Sequence, residues 1–319
     1  MSGPLLTLMV HKRDLQGEDV VVLDLVEPQG RALPAFSAGA HVDVHLGAGL
    51  VRQYSLCSDP ADLTRYRVGV LRDPRSRGGS AAVHALLQEG REVTIGPPRN
   101  LFPLAEAASG SLLFGGGIGI TPMIAMAHQL HAQAQPFELH YCARSRKRSA
   151  FVQELEHAGF AACVHTHFDD ETASGKLDLA SVLGQAPAGV HVYVCGPSGF
   201  MDWVIGHAKA AGFAPDHIHR EYFQAAVETH GAAFDVVARR SGKTVRVSEG
   251  QSIARALAAA GVNIQVACEQ GMCGTCLCTV LEGRPDHRDV YLTDEEKQAN
   301  EQILTCCSRA LSDTLVLDI

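Results

Sequence analysis

CEQGMCGTCLC, residues 268–278, holds four of the chain's ten cysteines. A disulfide knot, a zinc clip, a redox-active thiol pair and an iron–sulfur cluster all begin from such a composition, so the rest of the sequence has to choose among them. The chain has 319 residues, 46% hydrophobic and 19% charged, with a net charge of −8 and a pI near 6.0. That length suits two or three domains. The acidic balance argues against a nucleic-acid partner, which would call for a basic stripe. No apolar run makes a signal peptide at the start or reaches the roughly 18 residues of a membrane span, so a cytoplasmic protein with no membrane partner is expected. In that compartment thiols stay reduced, which favours metal ligands or free thiols over disulfides.

Within the loop, Cys268, Cys273 and Cys276 read C-x4-C-x2-C, and a further pair of cysteines stands in ILTCCSR (303–309). This is the spacing of plant-type [2Fe–2S] centres, in which each iron takes two thiolates beside two bridging sulfides. Gly271 and Gly274 let the main chain bend close and aim N–H groups at the sulfurs. A zinc clip prefers two matched short-gap pairs, and the adjacent Cys306 and Cys307 do not easily chelate one ion. A redox pair of Cys273 and Cys276 would leave Cys268 and Cys306 unexplained. Cys278 reads as a packed strand residue. By resemblance to plant-type ferredoxins, where the last ligand comes after a Leu-Thr or similar pair, Cys306 is the fourth ligand and Cys307 its rival.

A one-electron centre needs a supply, and the upstream sequence shows two textures. Segments 18–26, 41–46, 51–56, 66–71 and 91–95 are short, β-branched and punctuated by Gly, Pro and Asp, with one short helix at 80–87; they predict a small antiparallel barrel. From about residue 110, strands at 111–114, 137–142, 163–167 and 191–195 alternate with helices at 121–133, 150–158 and 199–211, the pattern of a parallel sheet covered by helices. QAAVETHG (224–231) reads as a linker. Beyond it, a hairpin (233–239, 244–247), a helix (253–260), the cysteine loop and a closing strand (314–319) predict a β-grasp unit.

The motifs sit at the joints of this plan. GGGIGITP (115–122) ends a strand and opens a helix, where backbone N–H groups and the helix dipole favour a pyrophosphate. CGP (195–197) ends another strand of the same sheet, and ligands of such sheets lie at the strands' carboxyl ends. RQYSLCS (52–58) sets Arg52 and Tyr54 on one side of a pleat, an exposed aromatic beside a cation, suited to a flat anionic ligand such as a flavin. RGGS (77–80) precedes the short helix and suits a phosphate. Alone, each of these stretches also reads as ordinary turn or strand.

Together, RQYSLCS, RGGS, GGGIGITP, CGPSGFM, HREYF and CEQGMCGTC resemble the phthalate dioxygenase reductase family in order and spacing across essentially the whole chain. The resemblance implies an FMN-binding β-barrel at 1–104, an NAD-binding α/β domain at 105–225, a linker at 226–231 and a [2Fe–2S] ferredoxin domain at 232–319. It implies that Arg52, Tyr54 and Ser55 hold the isoalloxazine and ribityl region, and that Arg77, Gly79 and Ser80 hold the phosphate. Gly116, Gly117, Thr121, Cys195, Gly196 and Pro197 would line the nicotinamide path, and Glu221 and Phe223 would close over the flavin ring. Thr121, Cys195, Glu221 and Phe223 are the residues placed nearest the reacting atoms. CARSRKRS (142–149) departs from an acidic ribose-binding pattern: Arg144 and Ser145 begin a basic run that suits the 2′-phosphate of NADPH or is only a solvated turn. NADH is expected, with NADPH as the alternative. The implied role is a step-down device that passes single electrons to a terminal Rieske oxygenase component. A reductase for a cytochrome P450 or a soluble ferredoxin, and a non-enzymatic redox sensor, are the competing readings.

Overall fold

The computed structural model describes residues 4–47, 49–74, 76–171, 175–223 and 228–319; the first four positions of the expected linker stretch lie outside the described residues. Two compact units result, Met1–Glu221 and Tyr222–Ile319.

The first unit begins with β1 (Leu6–Gln16), β2 (Val20–Val26), β3 (Ala40–His45), β4 (Val51–Ser55), β5 (Tyr66–Leu71), α1 (Gly79–Leu86), β6 (Glu92–Ile95) and β7 (Arg99–Asn100). The strands run β4-β3-β6-β1-β2-β5, with β7 on β3, and every pairing is antiparallel. A bridge from Leu56 to Val68 joins the end of β4 to β5 and closes the predicted barrel. Leu8, Val10, Leu23, Val42, Val44 and Val68 fill it. Sequence patterning passed over β1, the longest strand. A register shift between Val10 and Lys12 breaks its alternation just where the polar run His11–Asp14 begins.

Next come β8 (Gly110–Gly116), α2 (Ile120–Ala132), β9 (Phe137–Ala143), α3 (Val152–Glu156), β10 (Val164–Phe168), α4 (Leu179–Gly184), β11 (Val190–Cys195), α5 (Ser198–Ala210) and β12 (Ile218–Glu221). The sheet is parallel throughout, in the order β10-β9-β8-β11-β12. The chain leaves the central pair β8 and β11 in opposite directions, so the carboxyl ends of those two strands form the topological switch point where such sheets bind ligands. The short α4 and the edge strand β12 were not predicted. The helix expected at 150–158 shrinks to α3 because Phe151 stands in the left-handed region at φ 64°, with its N–H donated to Gln16 Oε1 at 2.7 Å. There the sheet domain meets the barrel. The Phe151 ring fills the space beside Gly69 of β5, and Arg67 joins Asp24 at 2.6 Å to Glu154 of α3 at 2.9 Å. The histidines, which showed no pattern in sequence, gather in part into two stacks, His140 with His165 and His167 and His191 with His217 and His219, because their strands are neighbours.

The second unit contains β13 (Phe234–Ala238), β14 (Lys243–Val247), α6 (Ile253–Ala259), β15 (Leu277–Glu282), β16 (Pro285–Asp286), α7 (Asp294–Ala299), β17 (Gln302–Leu304), β18 (Arg309–Ala310) and β19 (Thr314–Leu317). Its main sheet runs β14-β13-β19-β15-β17, with β13 and β19 parallel, over a core that includes Phe234, Val236, Leu257 and Leu315. This is the expected β-grasp, with β15, of which sequence marks only Cys278 as a strand residue, and β17, which it does not mark.

Arg309 is 1% exposed and donates to the carbonyls of Gln251, Gly231, Ala232 and Ser248, while its guanidinium lies 5.1 Å from the Phe234 ring centre. Arg309→Met leaves those carbonyls without a donor, so a loss of about 3–5 kcal/mol is expected. Thermal loss of the unit's tertiary signal well below the wild-type midpoint would check it; an unchanged midpoint would refute it. No helix among the described residues is long and apolar enough to cross a membrane.

Candidate functional site

The flavin-side residues are assembled by the end of β4 and the start of α1. Arg52 donates to the carbonyl of Val51 at 2.8 Å and to that of Arg77 at 2.9 Å. Its side chain lies across Gly79, where an added Cβ would stand 2.4 Å from Arg52 Cγ. RQYS and RGGS, 25 residues apart, therefore form one cradle. The N-cap of α1, Gly78, is left-handed at φ 83° and supplies no side-chain cap. Ser80 is used differently from the expectation: its hydroxyl accepts from Asp73 N–H at 3.1 Å and meets Ser76 Oγ at 3.0 Å, so it braces the loop.

Tyr54 corrects the sequence reading. It pairs with Val42 of β3 and packs against the barrel core rather than standing exposed. Burial pushes its phenol up to about 12. The alternation that puts Tyr54 with Arg52 puts Ser55 on the other side of the strand.

Ser55 points to the sheet domain. Its Oγ lies 3.4 Å from Glu221 Oε2 across 166 residues of sequence. Glu221 ends β12 and stands in register with Cys195, which ends β11 beside Gly115 of β8. Ser55, Cys195 and Glu221 thus converge at the switch point. Burial raises the Glu221 carboxyl to about 8, against the hydrogen bond from Ser55, and raises the Cys195 thiol well above its ordinary value, so both are neutral at pH 7. Thr121 is buried; its hydroxyl donates to Ile118 O at 3.0 Å and its methyl lies near Gly69 of the barrel. Phe223 lies two residues past Glu221, at the start of the second unit.

The glycines of the two turns divide into packed and open ones. An added Cβ would meet Phe200 at 2.6 Å from Gly116 and 3.0 Å from Gly196, and the Cys195 carbonyl at 2.3 Å from Gly119. Gly116 and Gly196, expected to face a ligand, are therefore glycines because the Phe200 ring covers both. Gly117 (φ 55°) and Gly199, with nothing within 4 Å, are where a ligand can approach the backbone. Pro197 is the N-cap of α5. Phe200 was missed; its signal was its place in CGPSGFM, one turn into the helix after the second glycine turn.

In the basic run, Arg146 pairs with Glu156 and lies 3.7 Å from Glu171, while Lys147 and Arg148 reach Glu18 of the barrel at 3.7 and 3.2 Å. Ser145 caps the next turn by accepting from Arg148 N–H. Arg144 is exposed, with no ion pair among the described residues.

In the second unit, Cys268, Cys273, Cys276 and Cys306 are all buried, at 5%, 5%, 2% and 5% exposure. Cys268 is held well below the usual thiol range by hydrogen bonds from Cys273 and Cys306, and Cys276 is lowered by Cys306. Gly271 and Gly274 are left-handed at φ 71° and 70°, and Gln270 N–H points at Cys268 Sγ at 3.3 Å. Cys307 touches Cys306 but lies against Gly271 and 3.8 Å from Leu304 O. Cys278 is a buried residue of β15, as read from sequence. Two pairs of buried thiols, the Gln270 N–H turned toward sulfur and left-handed glycines fit a two-iron [2Fe–2S] cluster, while among the described residues no three metal-ligating side chains are set around a single metal ion.

Residues 236–311 match the 2Fe-2S iron-sulfur cluster binding domain, and residues 92–218 the N-terminal domain of dimethylamine monooxygenase subunit DmmA-like proteins. The chain is 49% identical to a vanillate O-demethylase oxidoreductase from Pseudomonas sp. (strain HR199 / DSM 7063), over 99% of this chain and 100% of that protein. It is similar, at TM-score 0.76 and 37% identity over 99% and 98% of the two chains, to phthalate dioxygenase reductase, whose structure is described as modular for electron transfer from pyridine nucleotides to [2Fe–2S]. It also resembles an intact type IV self-sufficient cytochrome P450 monooxygenase at TM-score 0.85 and 39% identity, spanning 99% of this chain but only 41% of that one. Barrel, switch-point sheet and ferredoxin unit together define an NAD(P)H-dependent flavin and iron–sulfur oxidoreductase. The chain belongs to the phthalate dioxygenase reductase family, the reductase components of oxygenase systems.

Proposed function

We propose that the chain takes electrons from NADH on FMN and delivers them singly to a terminal Rieske-type oxygenase in the cytoplasm, one acting on an aromatic acid such as the vanillate of its relative's name. The observation that carries this reading is the Ser55–Glu221 contact beside Cys195, which sets the barrel's ligand face against the switch point of the nucleotide sheet. The flavin supplies the exchange between a two-electron donor and a one-electron cluster. The chain's own residues position these groups. Arg52, Gly79, Arg77 and the first turn of α1 hold the flavin phosphate, with Ser80 bracing the loop; Ser55 meets the ring, and Tyr54 supports the cradle from the barrel core. Gly117 admits the nucleotide backbone beside Pro197 and Thr121, with Gly116 and Gly196 packed beneath the Phe200 ring. Cys195 and Glu221 stand by the reacting ring as neutral groups, and Phe223 shields it. Cys268, Cys273, Cys276 and Cys306 hold the cluster. The domains run 1–104, 105–225 and 232–319.

The carboxylates on Arg146, Lys147 and Arg148 favour NADH over NADPH, because they occupy the cations a 2′-phosphate would use. The purified protein should show flavin and cluster absorption, and NADH should bleach both; a spectrum without a flavin band would sink the reading. The P450 likeness supports a second acceptor class, which electron delivery to a purified P450 in place of an oxygenase would reveal.

A further inference from the structure

We propose that Glu18, a residue of the flavin barrel, sets the nucleotide preference of the neighbouring sheet by occupying Lys147 and Arg148. The inference rests on the reading that a nicotinamide nucleotide binds at the switch point. In sheets of this type, the side chains just past the second strand meet the adenosine ribose: a carboxylate takes the 2′-hydroxyl, or an arginine takes a 2′-phosphate. Here that strand is β9, and the basic run at 144–148 comes directly after it. By residue type alone the run suits the 2′-phosphate of NADPH or is only a solvated turn.

The three-dimensional arrangement compensates three of the run's four cations, leaving Arg144 with no ion pair among the described residues. Arg146 is taken up by Glu156 and Glu171 within its own domain and lies 4.9 Å over the Phe168 ring. Lys147 and Arg148 are met by a single carboxylate from outside the domain, Glu18, between β1 and β2. The approach is built into the backbone. Gly17 is left-handed at φ 60°, and a Cβ there would stand 2.5 Å from the carbonyl of Arg148, so only glycine lets the barrel turn come this close. Glu18 is 42% exposed, and exposed pairs contribute little to folding. Its effect falls on selectivity instead. It compensates two cations and places a negative charge where a dianionic 2′-phosphate would bind, while leaving a 2′-hydroxyl undisturbed.

Glu18→Gln should therefore open the site to 2′-phosphate. Calorimetric titration of the holoenzyme should show about three- to tenfold tighter binding of 2′,5′-ADP with 5′-ADP unchanged, as loss of two exposed pairs allows. The ratio of kcat/KM for NADPH to that for NADH should rise by a similar factor. Glu154→Gln is the control: it breaks the Arg67 pair at the same barrel–sheet contact without touching the run, and the ratio should stay at the wild-type value. An unchanged ratio and unchanged 2′,5′-ADP affinity in Glu18→Gln would overturn the proposal. So would an equal shift in Glu154→Gln, which would mean that loosening the contact is enough. A wild-type protein that oxidises neither nucleotide would fail the functional reading, while the 2′,5′-ADP titration would still decide the role of Glu18.

Discussion

Replacing Cys306 with serine is expected to abolish the cluster's visible absorption and reduce electron delivery to one-electron acceptors to background, while NADH still bleaches the flavin. Cys307→Ser is expected to keep the cluster. The two residues are adjacent and both buried, so sequence separates them only by resemblance. The structure separates them by partner: the Cys306 thiol lies within hydrogen-bond reach of Cys268 and Cys276, whereas Cys307, which also touches Cys306, faces the Leu304 carbonyl and the space beside Gly271. A serine at 306 offers iron a hard, weakly acidic hydroxyl where a soft thiolate is required. A serine at 307 loses only packing against Gly271. Absorption and low-temperature EPR of both variants check the assignment; a cluster kept in Cys306→Ser and lost in Cys307→Ser would give the fourth ligand to Cys307.

What could be read from sequence was what is local in sequence. Three cluster ligands stand within nine residues, so C-x4-C-x2-C was visible without a fold. The parallel-sheet alternation was visible because each element carries its own period. The contacts that make a site of these parts were not. Ser55 and Glu221 meet only because the barrel closes and β12 adds to the sheet edge, and β12 itself is four residues with no apolar run. Tyr54 was read as exposed because β4 alone does not say which face the barrel encloses; the register with Val42 decides that. Gly116 was read as making room for a ligand because pattern cannot show that Phe200 fills that space. Sequence left the basic run open between a phosphate site and a solvated turn because its carboxylate partner Glu18 lies more than a hundred residues away, in another domain.

Glu221 should make flavin reduction depend on pH with a falling limb near 8. Burial raises its carboxyl from an ordinary 4.5 to about 8, so at neutral pH it is a proton-bearing group beside the neutral thiol of Cys195 and the hydroxyl of Ser55. In that form it would donate a hydrogen bond to a flavin ring held at the switch point. Above about 8 it becomes a carboxylate, which only accepts and which repels negative charge building on that ring. Stability carries the same sign. Below the ordinary carboxyl value the folded and unfolded states are both protonated. Between about 4.5 and 8 only the folded state holds the proton, so stability declines with rising pH and levels off above 8. Part of Glu221 remains open to the crevice, so this decline is shallower than full burial would give. Glu221→Gln keeps a neutral donor and should flatten the limb with modest loss of rate, whereas Glu221→Ala should slow flavin reduction about 100-fold, as loss of one positioned donor does. NADH affinity should change much less than the rate. Stopped-flow reduction from pH 6 to pH 9 tests both variants; a limb that persists in Glu221→Gln would assign the titration to another group.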